Sequence, residues 1–369
     1  MRLRPPRPED FRSPAHAPAV SARIGLWLGV AFTVCFLTGL LSHAAQHPPG
    51  WFTWPTRPVS LYRITQSAHV LSGVAAIPLL LAKLWSVYPR LFIRPPLRPP
   101  AAALAHAAER LSILVLLCAA FFELASGLFN AVQSYPWRFF FVETHYAVGW
   151  IAAGALVVHI GVKLSTASAG LAERPDPRRR AFLRIAWLST GAVVLATAGN
   201  AVPWLSRVSV LAWRSPGGPQ GLPVNRTAAA AGIRVPADWR LAVAWPGGTA
   251  HLTLSQLTAL RQHTATLPIA CVEGWSASAS WTGVRVTDLL AAVGAPTDRA
   301  VRVSSLERSG LYATSLLPSA HATDPLTLLA LRVNGQTLSP DHGYPCRIIA
   351  PSRPGVLQTK WVTRLEVLV

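Results

Sequence analysis

Five apolar stretches constrain this chain more than any other feature. They cover residues 24–42, 61–84, 111–131, 145–164 and 183–202. Each approaches or exceeds the roughly 20 apolar residues that a helix needs to cross a bilayer. A backbone in lipid must satisfy its own hydrogen bonds, so these stretches are expected as transmembrane helices. The apolar share of 51% and charged share of 13% agree with a protein partly in lipid.

Charge sets the expected orientation. Residues 1–202 carry 19 Lys/Arg against 7 Asp/Glu, a net +12. Arg2, Arg4, Arg7, Arg12 and Arg23 precede the first stretch. Lys83, Arg90, Arg94, Arg98 and Arg110 surround the connection from the second to the third. Lys163, Arg174, Arg178, Arg179, Arg180 and Arg184 surround that from the fourth to the fifth. The opposite loops hold only Arg57, Arg63 and Arg138. The positive-inside rule then puts the N-terminus in the cytoplasm and everything after residue 203 outside the cell membrane. Trp51, Trp54, Tyr135 and Trp137 fall at the outer boundary, where amphipathic rings anchor. Basic patches interleaved with aromatics, the mark of nucleic-acid binding, are absent despite the overall charge of +19.

The text changes character after the fifth stretch. Residues 203–225 read as a linker broken by Ser215-Pro216-Gly217-Gly218-Pro219. Short β-type runs follow at 241–244, 300–304 and 347–349, with a helix expected at 286–293. The fold class is therefore multi-domain: an all-α transmembrane bundle of five spans followed by a β-rich α+β domain. The expected boundaries are a cytoplasmic tail at 1–20, a four-helix membrane domain at 21–170, a fifth span and linker at 171–224, and the external domain at 225–369. The segment Arg179-Arg180-Ala181-Phe182-Leu183-Arg184 reads either as a twin-arginine export motif or as a positive flank.

Four cysteines are too few and too scattered for a disulfide framework or a zinc site. Cys35, Cys118 and Cys346 are expected as packing residues, the last in a strand. Cys271 differs: it ends an apolar run at the mouth of a loop, where a thiolate is placed to bind a soft metal.

Histidine inside a membrane is a functional candidate. His145 and His159 lie 14 residues apart. That is about 1400° of helical rotation and about 21 Å of rise, so both face one side near opposite membrane surfaces. His69 lies near the outer end of the second stretch, as His145 does on the fourth. Each has a Gly four residues on, Gly73 and Gly149, where a porphyrin edge could approach the backbone. His43 and His47 are expected as solvated loop residues. Glu123 is expected as a satisfied interior carboxyl, with quinone protonation the other reading.

This pattern over residues 20–165 resembles the cytochrome b subunits of membrane-bound hydrogenases and formate dehydrogenases. The resemblance implies two b haems, an outer one held by His69 and His145 and an inner one held by His159. The family's inner ligand on the first span is missing here, where Gly25 and apolar neighbours stand. His106 is the substitute, with His16 the other candidate, although Pro14 and Pro18 flank it.

A second resemblance covers residues 225–369. One motif is Cys271-Val272-Glu273-Gly274-Trp275-Ser276 with Trp281-Thr282-Gly283-Val284 and Asp288-Leu289-Leu290. The other is Val333-Asn334-Gly335, Asp341-His342-Gly343-Tyr344-Pro345, Arg347 to Pro351 and Lys360-Trp361-Val362. Together they are similar to the molybdopterin-binding domain of the sulfite oxidase family, nearest in pattern to methionine sulfoxide reductase catalytic subunits. The resemblance implies that Cys271 ligates molybdenum and that Arg347 and Lys360 meet the pterin phosphate. It places His342, Gln358, Thr359, Asn225 and Ser305 (or Ser304) around the cofactor. Ala270, Pro354 and Leu357 depart from the family pattern, which bears on the substrate face. The immunoglobulin-like dimerisation domain of sulfite oxidases is not expected in this chain.

The two resemblances imply a membrane-bound oxidoreductase transferring oxygen atoms, either reducing a small-molecule or protein-Met sulfoxide or oxidising a sulfite-like anion. Electrons would be exchanged with quinone/quinol through the haems. The competing reading is a non-catalytic docking subunit with a degenerate pterin fold.

Overall fold

The computed structural model describes residues 7–93, 99–212, 218–308 and 310–369. Arg2, Arg4, Arg94, Arg98 and the Ser215–Gly217 break lie outside them. The contacts group the chain into two units, residues 1–39 with 68–197, and residues 40–67 with 198–369.

Five long helices carry the apolar stretches: α1 (Pro18–Gln46), α2 (Leu61–Val87), α3 (Pro100–Ala131), α4 (Phe141–Ala172) and α5 (Pro177–Ala198). All five are long and apolar enough to cross a membrane. Leu37, Leu114, Val157 and Leu188 are more than half exposed on their surfaces, as lipid-facing side chains are. The fifth helix stops at Ala198, short of residue 202. The next residue, Gly199, packs so closely that a Cβ would lie 2.6 Å from Ser206 Cα. Its N-terminal end is fixed by Asp176, whose Oδ1 accepts from the backbone N of Arg179 at 2.9 Å. Arg179 also pairs with Glu173, so the twin-arginine segment forms part of a helix start.

In the first unit α3 and α4 pack along one another. Arg23 does more than flank a span. Its guanidinium donates to the carbonyls of Ala19, Gly170, Leu171 and Glu173 at 2.8–3.0 Å, capping the orphan carbonyls that end α4. Gly170 is required there, since a Cβ would meet Pro18 O at 2.8 Å. Cys118 is exposed on α3 and Cys35 faces a histidine, so neither is the inert packing residue expected. His43 sits on α1 with its ring 4.9 Å from His47, rather than in a loop.

The second unit is built on two sheets. One has the order β2-β1-β10-β5-β6, from Gly248–Thr253, Arg240–Trp245, Val362–Val367, Val301–Ser305 and Thr314–Leu317. The other has the order β3-β4-β7-β8, from His263–Ala270, Ser276–Arg285, Leu328–Val333 and Gln336–Thr337, with β9 (Arg347–Ile349) paired to β7. Short helices α6 (Leu254–Ala259), α7 (Val286–Ala292) and α8 (Ser319–Ala322) complete it. Cys346 is fully buried directly before β9. At Gly283 the β4–β7 register shifts and a Cβ would lie 2.1 Å from Leu329 O, so no side chain is admissible.

Residues 40–67 join this unit through specific bonds. Trp54 Nε1 donates to Ser352 O at 2.6 Å, and Arg57 holds Asp324 with two bonds of 2.7 and 3.0 Å. Ser352 N donates to Val59 O at 3.0 Å. Trp54 is 6% exposed and packs on Tyr62, so it is a core residue and not an interfacial anchor.

Candidate functional sites

Cys271 directly follows β3 and opens the hairpin turn to β4. Its backbone N donates to Trp275 O at 2.9 Å, and Gly274 N donates back to Cys271 O at 3.1 Å. Gly274 adopts φ +85°, the left-handed conformation that closes such a turn and favours glycine. The thiol is 2% exposed and lines a cleft.

The facing wall comes from the segment after β8. Arg347, Lys360, His342 and Asn225 line the same cleft, with Asp341, Trp275 and Leu222. Arg347 is 5% exposed; it donates to the carbonyls of His342 at 3.2 Å and Gln358 at 3.1 Å. Its Nε is buried with no acceptor. Lys360 Nζ donates to Asn225 Oδ1 at 3.3 Å and to the backbone oxygens of Arg226 and Asp341. Each cation lies over a motif tryptophan, Arg347 at 5.1 Å from the Trp281 ring and Lys360 at 4.4 Å from Trp361. Among the described residues no carboxylate lies within 4.0 Å of either cation.

Burial shows in the acidities. Burial pulls Arg347 down to about 9 and Lys360 down to about 7, the latter also through the neighbouring Arg347 charge. His342 is lowered by burial, while its Nε2 donates to Pro219 O at 2.7 Å. Arg347, buried with an orphaned N–H beside the part-buried Lys360, calls for an anion, because an uncompensated buried charge is costly. A soft thiolate donor on one wall and anion-seeking cations on the other fit a phosphate-bearing molybdenum pterin.

Three sequence-nominated residues point elsewhere. Gln358 is 1% exposed and pins its own loop, accepting from Ala350 N and donating to Arg353 O. Thr359 Oγ1 meets Ser315 Oγ at 2.7 Å. Ser305 Oγ donates to Lys360 O at 2.8 Å, fastening the backbone that carries the lysine. None of the three lines the cleft, because each side chain is engaged behind it. Two residues near the thiol went unread. Tyr312 is raised by burial and by Cys271, and its hydroxyl donates to Gln46 Oε1 at 3.4 Å. Tyr62, 1% exposed, meets Ser42 Oγ at 3.1 Å, and Ser42 reaches Gln66, which in turn donates to Val272 O at 3.4 Å. Neither tyrosine belongs to a local motif, so no sequence signal marked them.

In the helical unit His69 and His145 come together. Their ring centroids are 6.2 Å apart at 81°. Two metal–imidazole bonds of about 2 Å each, plus two ring radii, span about the same distance. His69 Nδ1 donates to Cys35 O at 2.8 Å, and His145 Nδ1 lies 2.9 Å from Ser126 Oγ. Such Nδ1 contacts orient a ligand imidazole. His145 Nε2 lies 3.1 Å from Glu123 Oε2, so the carboxylate would have to yield that atom. The outer pair therefore has the ring spacing of two imidazoles sharing one iron.

The inner pair does not share a depth. The Ser126–His145 and Glu109–Lys163 contacts set position 112 or 113 of α3 opposite His159. His106 lies six or seven residues nearer the start of α3, about 10 Å along the axis. Two ligands of one iron must face each other across it, so the expected His106–His159 pairing fails on register. His16 sits on a single 3-10 turn (Pro14–His16) against Phe11 and Trp85, not on a helix of the bundle.

Comparison with known proteins gives one located family match and several relatives. Residues 228–369 match the family described as oxidoreductase molybdopterin binding domain. Mitochondrial sulfite oxidase of Drosophila melanogaster is 33% identical over 158 residues, 36% of this chain and 27% of that protein. A putative protein-methionine-sulfoxide reductase subunit, YedZ1, of Azospira oryzae is 36% identical over 115 residues, 31% of this chain and 43% of that protein. The NADH nitrate reductase of Ulva prolifera is 36% identical over 100 residues, 24% of this chain and 12% of that protein. The chain thus spans less than half the length of each of these relatives. The cleft, the cysteine at its mouth and the family match agree: residues 228–369 are a molybdopterin-binding oxidoreductase domain of the sulfite oxidase type.

Proposed function

We propose that the chain is a membrane-bound molybdenum oxidoreductase that transfers oxygen atoms, reducing a sulfoxide or oxidising a sulfite-like anion. The observation that carries this is the cleft with Cys271 on one side and, on the other, a buried Arg347 and a part-buried Lys360, neither of them ion-paired among the described residues. When bound, the molybdenum pterin would supply two-electron oxygen-atom transfer. Cys271 would hold the metal as a soft ligand. Arg347 and Lys360 would bind the phosphate by charge-assisted hydrogen bonds, steadied by Trp281 and Trp361. His342 and Asn225 would contact the pterin from the same cleft. Ser305, Gln358 and Thr359 would shape the loop that presents these groups.

Electrons would be exchanged with the quinone pool through a b haem on His69 and His145. Cys35 O and Ser126 Oγ would orient the two rings. The five helices would lie in the cell membrane, with the N-terminus cytoplasmic and the pterin domain outside.

The test is metal and haem analysis of the purified full chain, followed by reoxidation of the reduced haem band by methionine sulfoxide and its reduction by sulfite. The expected result is molybdenum in the protein and a band that responds to one of the two. A colourless, molybdenum-free protein from a host competent in both cofactors would refute the assignment.

A further inference from the structure

We infer that the inner half of the helical unit is built on the same template as the outer half, but with Lys83 where the second imidazole should stand, so the chain holds one b haem and not two. The inference rests on the haem reading above and restricts it.

Three helices repeat at one interval. His69 and Lys83 are 14 residues apart on α2, His145 and His159 are 14 apart on α4, and Gly39 and Gly25 are 14 apart on α1. The contacts repeat with them. A Cβ on Gly39 would meet His69 Cε1 at 3.0 Å, and a Cβ on Gly25 would meet Lys83 Nζ at 3.0 Å. Cys35 lies against His69 on α1, and Ser21, 14 residues earlier, lies against Lys83. The α2–α4 offset that brings His69 to His145 brings Lys83 to the level of His159. The position opposite His159 is thus occupied, and its occupant is an amine.

That amine is already engaged. Lys83 Nζ donates to Ser21 O and to Ser21 Oγ, both at 2.8 Å. His106, the alternative partner, is displaced by about 10 Å along α3. His159 therefore has no facing imidazole among the described residues. The remaining haem lies at the His69–His145 level, and a quinol would have to deliver its electrons there.

The experiment counts haem b per chain by pyridine haemochrome on the full chain in detergent, with wild type, His69→Ala, His159→Ala, His106→Ala, Lys83→Ala and Lys83→His compared. The expected ratio is one for wild type, none for His69→Ala, and one for His159→Ala, His106→Ala and Lys83→Ala. Lys83→His is expected to raise the ratio to two, and a ratio still at one in a variant that keeps its outer haem would overturn the role given to Lys83. Two haems in the wild type would overturn the inference and leave the outer site standing. No haem in any variant would overturn both.

Discussion

Lys360→Met separates a cofactor anchor from a structural lysine by the sign of its effect. The ammonium is held at a pKa of about 7 against an ordinary 10.5. At about 1.4 kcal/mol per pKa unit, keeping it charged in the folded chain costs about 5 kcal/mol below pH 7. Methionine preserves the stem and removes the charge. It also deprives Asn225 Oδ1 and the carbonyls of Arg226 and Asp341 of a donor, a loss of about 2–3 kcal/mol together. The cofactor-free variant should therefore be more stable than its parent by about 2 kcal/mol, or about 4–8 °C in the midpoint of the second unit.

The pH dependence has a definite sign. Between pH 7 and 10.5 the unfolded chain keeps the proton that folded Lys360 has released, so stability of the cofactor-free parent rises with pH across that window. The advantage of Lys360→Met should be full below pH 7, vanish near pH ~9 and become a deficit of about 2–3 kcal/mol above 10.5, where only the lost hydrogen bonds count. In the loaded protein a bound phosphate supplies the missing anion, and the substitution removes a charge-assisted bond worth about 1.5–3 kcal/mol. There it should destabilise and release cofactor. The assay is thermal unfolding by tryptophan fluorescence, on full chain from hosts able and unable to make molybdopterin. An effect of the same sign in both preparations would refute the assignment of Lys360 as an anion anchor.

Cys271→Ser would remove the proposed protein ligand of the metal, whereas loss of an outer-shell partner alone costs about 10–100-fold. Molybdenum-dependent turnover should fall by more than about 100-fold while the thermal midpoint of the cofactor-free chain stays within about 2 °C. Gly283→Ala places a Cβ 2.1 Å from Leu329 O, so β4 and β7 must part, costing about 3 kcal/mol or more; a normal unfolding midpoint would contradict the packing. Gln358→Leu strands Ala350 N and Arg353 O, costing about 2–4 kcal/mol. Below its midpoint that variant should retain a full molybdenum content, since Gln358 does not face the cleft.

The five spans were legible because hydropathy over about 20 residues is a one-dimensional signal. Their ends were less so. Helix α3 starts at Pro100, eleven residues before the apolar stretch, because Ala101 to Arg110 are good helix formers that hydropathy does not register. The Cys271 turn was legible for a local reason: a strand, a left-handed Gly274 and a second strand are contiguous in the text. Trp54 was not. As a boundary aromatic it read as an interfacial anchor, but its partner Ser352 lies almost 300 residues away, and no local pattern encodes so distant a partner.

The same limit divides the nominated cofactor residues. Arg347 and Lys360 were nominated by the resemblance, and the fold brings both to the cleft that Cys271 lines. The directions of Gln358 and Thr359 could not be read, because side chains in the irregular loop before Lys360 follow no period of 2 or 3.6. His106 failed in a third way. Its depth was reasoned from the end of its own span, but the depth that matters is relative to a neighbour. Glu109 on Lys163 and Ser126 beside His145 fix that register, and they carry His106 past the level of His159. On α2 the 14-residue interval was present in the sequence all along. Its inner member is a lysine, and an amine carries none of the signal that marks an imidazole as an iron ligand.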